Sequence, residues 1–200
     1  MSALSELGEQ VKQCRRCELS KYRTRAVPGE GAENADIMFI GEGPGYHEDQ
    51  QGRPFVGSAG KFLDSLLASI NLDRERVYIA NVIKCRPPGN RDPLPTEIQH
   101  CRQWLQGQID IISPKMIVTL GRFSMAMFFP GKTISKIHGT AQKKDGVIYY
   151  AMYHPAAALH QQSLRQAIEA DMLKIPDLLA EAAEVAEVKP EPAQLNMFEV

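Results

Sequence analysis

The stretch IMFIGEGPGYHEDQQGRPFVG, residues 37–57, passes from four consecutive apolar side chains into a loop with five glycines and two prolines. Apolar residues in a row, without polar alternation, read as a strand buried on both faces. The loop's glycines let the backbone approach a flat ligand closely, Glu42 and Glu48 stand nearby, and Phe55 can offer an aromatic face. A phosphate loop would add lysine and Ser/Thr at fixed spacing, and a dinucleotide site its full glycine fingerprint. Neither is here.

Working outward, Val77–Ile83 reads as a second buried strand and Met116–Leu120 as a third. Residues 141–153 read as a hairpin turning at Asp145-Gly146, whose outgoing strand delivers His154. Helices are expected from Ser2 to near Cys14, around Phe62–Ile70, after Leu120 to about Phe129, and as one final helix from about Gln161 into the 180s. A further helix, carrying Ile98, Cys101, Leu105, Ile109 and Ile112, is expected to open at Thr96 with Gln99 completing a capping box. The alternation predicts an α/β fold with a central, mostly parallel four-stranded sheet covered on both faces and ligands at the carboxyl ends of its strands.

Two hundred residues with 44% hydrophobic content suffice for one domain, expected over residues 1–186. Residues 187–200 are too polar and Pro-rich to pack and are expected to form a mobile tail. No apolar run is long enough to span a membrane, and the N-terminal residues lack a signal-peptide layout, so a cytoplasmic location is expected. The net charge is -1, but residues 181–200 hold five acids and one lysine, leaving +3 on the rest. That permits contact with phosphates through a local patch without demanding it.

All four cysteines fit one arrangement: Cys14 and Cys17 with two residues between them, Cys85 at the end of a strand, and Cys101 on the next helix. Four thiolates converging from separate elements suit a tetrahedral zinc or an iron–sulfur cluster, either of which would pin the N-terminal arm to the sheet. Scattered buried thiols are the plainer alternative, since Cys101 also falls on an apolar helix face.

Asn81 interrupts an otherwise apolar strand, and an unpaired buried carboxamide costs about 1–3 kcal/mol, so it should have a partner. One is a neighbouring loop's backbone. The other is a ligand: a carboxamide both donates and accepts, and so matches uracil's O4 and N3–H pair, where cytosine presents the opposite pattern. His154 stands where the last strand ends, in HPAAALH, and His160 is the second histidine of that segment.

The segments GEGPG and GRPFVG, NVIKCRPP and HPAAALH, with four cysteines at this spacing, resemble the family 4 uracil-DNA glycosylases from about Cys14 to about Leu178. The resemblance implies a three-layer αβα sandwich, a 4Fe-4S cluster held by Cys14, Cys17, Cys85 and Cys101, and hydrolysis of the N-glycosidic bond of uracil in DNA. It makes Phe55 the stacking partner of the extruded uracil, Asn81 the reader of its edge, His154 the donor to O2 and Glu42 the best-placed carboxylate. Glu48 matches an acidic residue that crowds a thymine methyl, and Gly41 and Gly43 belong to the same base-binding loop. Where better-known uracil glycosylases carry a water-positioning aspartate, this sequence has Gly43.

Breaking the bond builds positive charge on the sugar and negative charge on the base, so a donor at O2 favours the transition state. The segment after His154 is expected to fill the gap left in the DNA, with Ala158 or Leu159 as the wedge. Arg86, Arg91 and Arg102 flank the cysteines and are candidates for phosphate contact. In the tail, QLNMF resembles the short peptide by which bacterial repair proteins bind the β sliding clamp, through Gln194, Leu195, Met197 and Phe198. A monomeric enzyme acting on uracil-containing DNA is the expectation, and a non-catalytic iron–sulfur protein that binds nucleic acid or the clamp is the rival reading.

Overall fold

The computed structural model describes residues 2–187. In chain order the elements are α1 (Ala3–Gln13), β1 (Glu30–Gly31), β2 (Ile37–Gly41), α2 (Tyr46–Gln51), α3 (Ser58–Ser69), β3 (Tyr78–Asn81), α4 (Pro95–Ile112), β4 (Met116–Leu120), α5 (Arg122–Phe128), α6 (Ile134–Ile137), β5 (Thr140–Lys144), β6 (Val147–Met152), α7 (Gln162–Met172) and α8 (Ile175–Glu187). Single 3-10 turns cover Glu18–Lys21, Pro88–Asn90 and Pro155–Leu159. The tail residues Gln194, Leu195, Met197 and Phe198 lie outside the described residues.

The sheet runs β1-β3-β2-β4-β6-β5. Its four inner strands are parallel, and β1 and β5 pair antiparallel at the two edges. The four-stranded expectation is thus short by two edge strands. β1 has only two residues, too few to leave a periodic trace, and belongs to the sheet only by pairing with β3. β5 is exposed along its whole length, and its lysines 143 and 144 discourage further strand pairing. The β5–β6 hairpin turns at Asp145 and Gly146, both with positive φ (51° and 81°), the backbone that the favoured two-residue hairpin turn requires.

Every residue of β2, β3 and β4 is buried. Side chains alternate between faces: Ile37 and Phe39 pack toward α3, α7 and α8 through Leu63, Leu66, Ile168 and Ile175, and Met38 and Ile40 toward α1 and α4 through Leu4 and Leu105. Helices on both faces make three layers. Among the described residues no helix is long and apolar enough to cross a membrane.

Two helix boundaries differ from expectation. α4 opens at Pro95, not Thr96, because the Glu97 carboxylate reaches back to accept from the Leu94 N–H at 2.8 Å. The single C-terminal helix is two, α7 and α8, broken where Pro176 can neither donate to the preceding turn nor fit beside its carbonyl.

Candidate active site

β2 sends its first connection to β3 on one side, and the chain then crosses to β4 on the other, so the carboxyl ends of these strands form a topological switch point. A cavity of about 320 Å³ opens there. It brings together Glu42, Gly43 and Glu48 from the β2 loop, Phe55 before α3, Asn81 at the end of β3, and His154 after β6. His160 is exposed and does not line it.

Asn81 is 2% exposed, and its Oδ1 is buried with no hydrogen-bond partner among the described residues. The backbone partner considered for it is absent there. Asn81 lines the cavity, so a ligand there is the natural source of the donor that this buried acceptor lacks.

Phe55 is 5% exposed and has a left-handed backbone, φ 52°, unusual for a bulky residue and typical of functional loops. Three features hold it. Arg74 donates to the Phe55 carbonyl and, at 2.9 Å, to that of Pro54. α3 comes so close that a Cβ on Gly60 would lie 1.7 Å from the Phe55 oxygen. At the ring's far end, a Cβ on Gly41 would lie 2.6 Å from Phe55 Cζ and 2.5 Å from Asn81 Oδ1. Gly41 therefore packs behind both side chains, and Gly43 lies against Ile83 in the same way. Arg74 and Gly60 carry no sequence motif that marks them.

Glu48 lines the cavity, yet its oxygens are already engaged. Oε1 accepts from the Val56 and Gly57 N–H groups at 2.8 and 2.9 Å, and Oε2 from Gly45 at 3.1 Å. These bonds start α2 and fold the glycine loop back toward Phe55. Among the described residues Glu42 has no such partner, and burial, then the charge of Asp92, raise its pKa above the usual carboxylate value against the pull of Arg122.

His154 is partly buried, and desolvation lowers its pKa to about 4 despite the opposing charge of Glu48. The ring is neutral at neutral pH. Its Nδ1 accepts from the Ala156 N–H at 3.1 Å, which leaves the ring proton on Nε2. On the turn that follows, Ala158 is buried in the core and Leu159 is 45% exposed. Of the two wedge candidates only Leu159 is available at the surface.

The four cysteines, brought from the C-terminal cap of α1, the turn after it, the segment after β3 and α4, line one narrow cavity. Among the described residues no three His, Cys, Asp or Glu side chains are gathered closely enough to hold a single metal ion. The donors around the sulfurs nevertheless fit a thiolate-bound centre. Arg23 donates to Cys85 Sγ at 2.9 Å, the Lys84 N–H to Cys101 Sγ at 3.2 Å, and Trp104 Nε1 to Cys14 Sγ at 3.4 Å. Burial pushes the Cys101 thiol up to about 12 and raises that of Cys85, so these sulfurs stay protonated at neutral pH unless a bound cation displaces the protons.

Of the phosphate candidates, Arg91 is engaged by both oxygens of Glu97, Arg86 donates to Asn90 and lies over the exposed Tyr46 ring, and Arg102 is exposed.

Residues 28–175 match the family model described as the uracil DNA glycosylase superfamily. The chain is 47% identical over 188 residues to a type-4 uracil-DNA glycosylase of Sulfurisphaera tokodaii, covering 89% of this chain and 86% of that protein. It is 47% identical to one of Archaeoglobus fulgidus, covering 89% and 94% of the two chains, and 43% identical to one of Thermotoga maritima, covering 84% and 90%. The cavity at the switch point and these relatives agree: the chain belongs to the uracil DNA glycosylase superfamily and, within it, to the type-4 uracil-DNA glycosylases.

Proposed function

We propose that the protein removes uracil from DNA by hydrolysing the N-glycosidic bond, leaving an abasic site for base-excision repair. The observation that carries the site reading is the buried, unpaired Oδ1 of Asn81 beside Phe55 and His154 in one cavity. Extruding a base from the duplex costs about a few kcal/mol, offset by stacking on Phe55 and by edge hydrogen bonds. Uracil N3–H donates to Asn81 Oδ1, and Asn81 Nδ2 donates to O4. Cytosine offers an acceptor and a donor in those positions and is refused.

As the bond to C1′ lengthens, the electron pair leaves with the base and the sugar becomes cationic. The neutral His154 donates from Nε2 to O2, where the negative charge collects. Glu42 faces the cationic sugar or the incoming water, whose oxygen bonds to C1′ while its proton passes to the carboxylate or to solvent. Glu48 holds the loop that carries these groups and crowds a methyl at the base's C5. Leu159 fills the space that the base vacates, with Ala158 beneath it.

Cys14, Cys17, Cys85 and Cys101 fit a 4Fe-4S cluster, which when bound would cross-link α1, the end of β3 and α4. Residues 1–186 form the catalytic unit, which acts as a monomer in the cytoplasm. Gln194, Leu195, Met197 and Phe198 would tether it to the β sliding clamp, raising its local concentration on DNA. A pull-down in which loss of residues 194–200 leaves clamp binding unchanged would remove that part alone.

The enzyme is tested by incubation with a uracil-containing oligonucleotide followed by hot alkali. Strand cutting is expected with the native chain, and loss of cutting with retained brown colour for Asn81→Ala and His154→Ala. A protein that never cuts would leave the binding-module reading, and a colourless protein with stoichiometric zinc would overturn the cluster.

A further inference from the structure

The residue three places after Asn81 is a lysine with 1% exposure. Burying an ammonium group costs several kcal/mol unless it is paired, and a methionine would fill the same space without that cost. The charge therefore has a task, and its contacts show which. Lys84 Nζ donates to the main-chain carbonyl of Asn81 at 2.9 Å and to Gln108 Oε1 at 2.6 Å.

The Asn81 carbonyl needs this donor because of where β3 lies. Val82 N–H is turned toward β2, bonding Gly41 O at 3.0 Å, so the carbonyl of Asn81 faces the opposite edge. There β1 covers β3 only opposite Tyr78 and Ile79 and has ended before Asn81. Without Lys84 that carbonyl would be an orphan directly behind the side chain that faces the cavity.

Gln108 is itself fixed, donating to Pro28 O at 2.7 Å and to Tyr78 Oη at 3.0 Å. Lys84's own backbone is tied on both sides, its N–H to Cys101 Sγ and its C=O accepting from Val27 N–H at 2.8 Å. One residue thus joins the end of β3, α4 and the segment before β1, and none of its atoms lines the cavity.

We infer that Lys84, braced by Gln108, is a positioning residue that sets the Asn81 carboxamide for the uracil edge. This rests on the reading of Asn81 as the base reader. A main-chain carbonyl left unpaired would relax toward water or another donor, turning the Cα–Cβ bond of Asn81 with it. A misplacement of about 1 Å at such a site costs on the order of a hundredfold in rate.

The test is a double-mutant cycle with Asn81→Ala, Lys84→Met and both together, read as the single-turnover rate on a uracil oligonucleotide, followed at excess enzyme for long enough to resolve the residual rate of chains that do not cut in the ordinary incubation, and as inhibition of that rate by free uracil. Lys84→Met is expected to lower the rate and weaken free-uracil inhibition by about tenfold to a hundredfold each, and to change either by less than about threefold once Asn81 is alanine. Gln108→Leu is expected to follow the same pattern with a smaller loss. Visible absorbance per chain and the thermal midpoint show that the cysteine site and the fold persist.

Equal factors in the native and Asn81→Ala backgrounds would mean that Lys84 acts elsewhere, and would overturn the inference while leaving the base reader intact. A fully active Asn81→Ala would instead sink the base-reader reading. If Lys84→Met does not fold, Gln108→Leu carries the cycle. If neither folds, the network serves the fold rather than the base, and the inference falls.

Discussion

The rings of Phe55 and His154 stack on each other, with centroids 5.5 Å apart and planes 24° from parallel. One ring arrives on the loop after β2 and the other at the end of β6, so the contact exists only in the closed fold. It sets a hydrocarbon face against the imidazole and contributes to the burial that keeps that ring neutral. It also leaves no gap for a third ring between the two, so a bound base must lie on the remaining face of Phe55 or displace His154 from its stacked position.

Phe55→Ala removes the stacking surface and opens the histidine to water. Base–aromatic stacking is worth about 1–3 kcal/mol, so kcat/KM on a uracil oligonucleotide is expected to fall by roughly 5- to 150-fold. Phe55→Leu keeps the apolar cover without the flat ring and should recover only part of the loss. Steady-state kinetics of the two variants check this, and a leucine variant equal to the native chain would show that stacking is not what Phe55 supplies.

The pH dependence separates two groups. Glu42 is raised above the usual carboxylate range by burial and Asp92, so the acid limb of the rate should lie above pH 4.5 and be absent in Glu42→Gln. His154 titrates at about 4, so no limb is expected near 6.5. Its effect falls on stability: between the unfolded value near 6.5 and the folded value near 4 the unfolded chain binds more protons, and folding weakens as pH falls through that window. Above pH 6.5 His154 adds no pH dependence. Thermal midpoints at pH 7.5 and 5 should differ more for the native chain than for His154→Asn.

The inner strands were legible because β2, β3 and β4 are apolar on both faces, and the cysteine site because its spacing used every cysteine. α2 was not, since YHEDQQ has no apolar stripe. It is held by bonds from the Val56 and Gly57 N–H groups to Glu48 and from the Thr24 N–H to the buried Asp49, contacts that only the folded chain makes. Lys84, Gln108, Arg74 and Arg23 escaped for the same reason: each looks like an ordinary polar residue until its buried partners are in place. The candidate base-site residues came from two signals, Asn81 from its place in an apolar strand and the others from a resemblance in the loops; what the structure adds is the unpaired Oδ1 of Asn81 and the tautomer of His154.

Gly41→Ala tests whether that base site is as tightly assembled as its distances imply. The backbone of Gly41 is not in the left-handed region, so alanine is tolerated by the chain itself. Its new methyl would meet Asn81 Oδ1 and the tip of Phe55. The expected result is a folded protein with a rate lower by about a hundredfold, because both groups proposed to contact the base shift together. A native rate with an unchanged thermal midpoint would show that the two side chains have room the geometry does not reveal.

Arg23 offers the corresponding test at the cysteine site. Its guanidinium donates to Cys85 Sγ at 2.9 Å and to the carbonyls of Lys12 and Cys14 at 2.8 Å, joining the C-terminal end of α1 to the segment after β3. Such donors stabilise the charge on a ligating sulfur, and their loss typically costs about 10- to 100-fold in metal affinity. Arg23→Met should therefore lose visible absorbance faster than the native chain when exposed to a chelator, with a lower thermal midpoint in step. Arg23 does not line the cavity that holds Asn81 and His154, so uracil release per metal-loaded chain should stay close to native. Loss of activity without loss of visible absorbance would instead place Arg23 in contact with DNA and rule out the role at the sulfur.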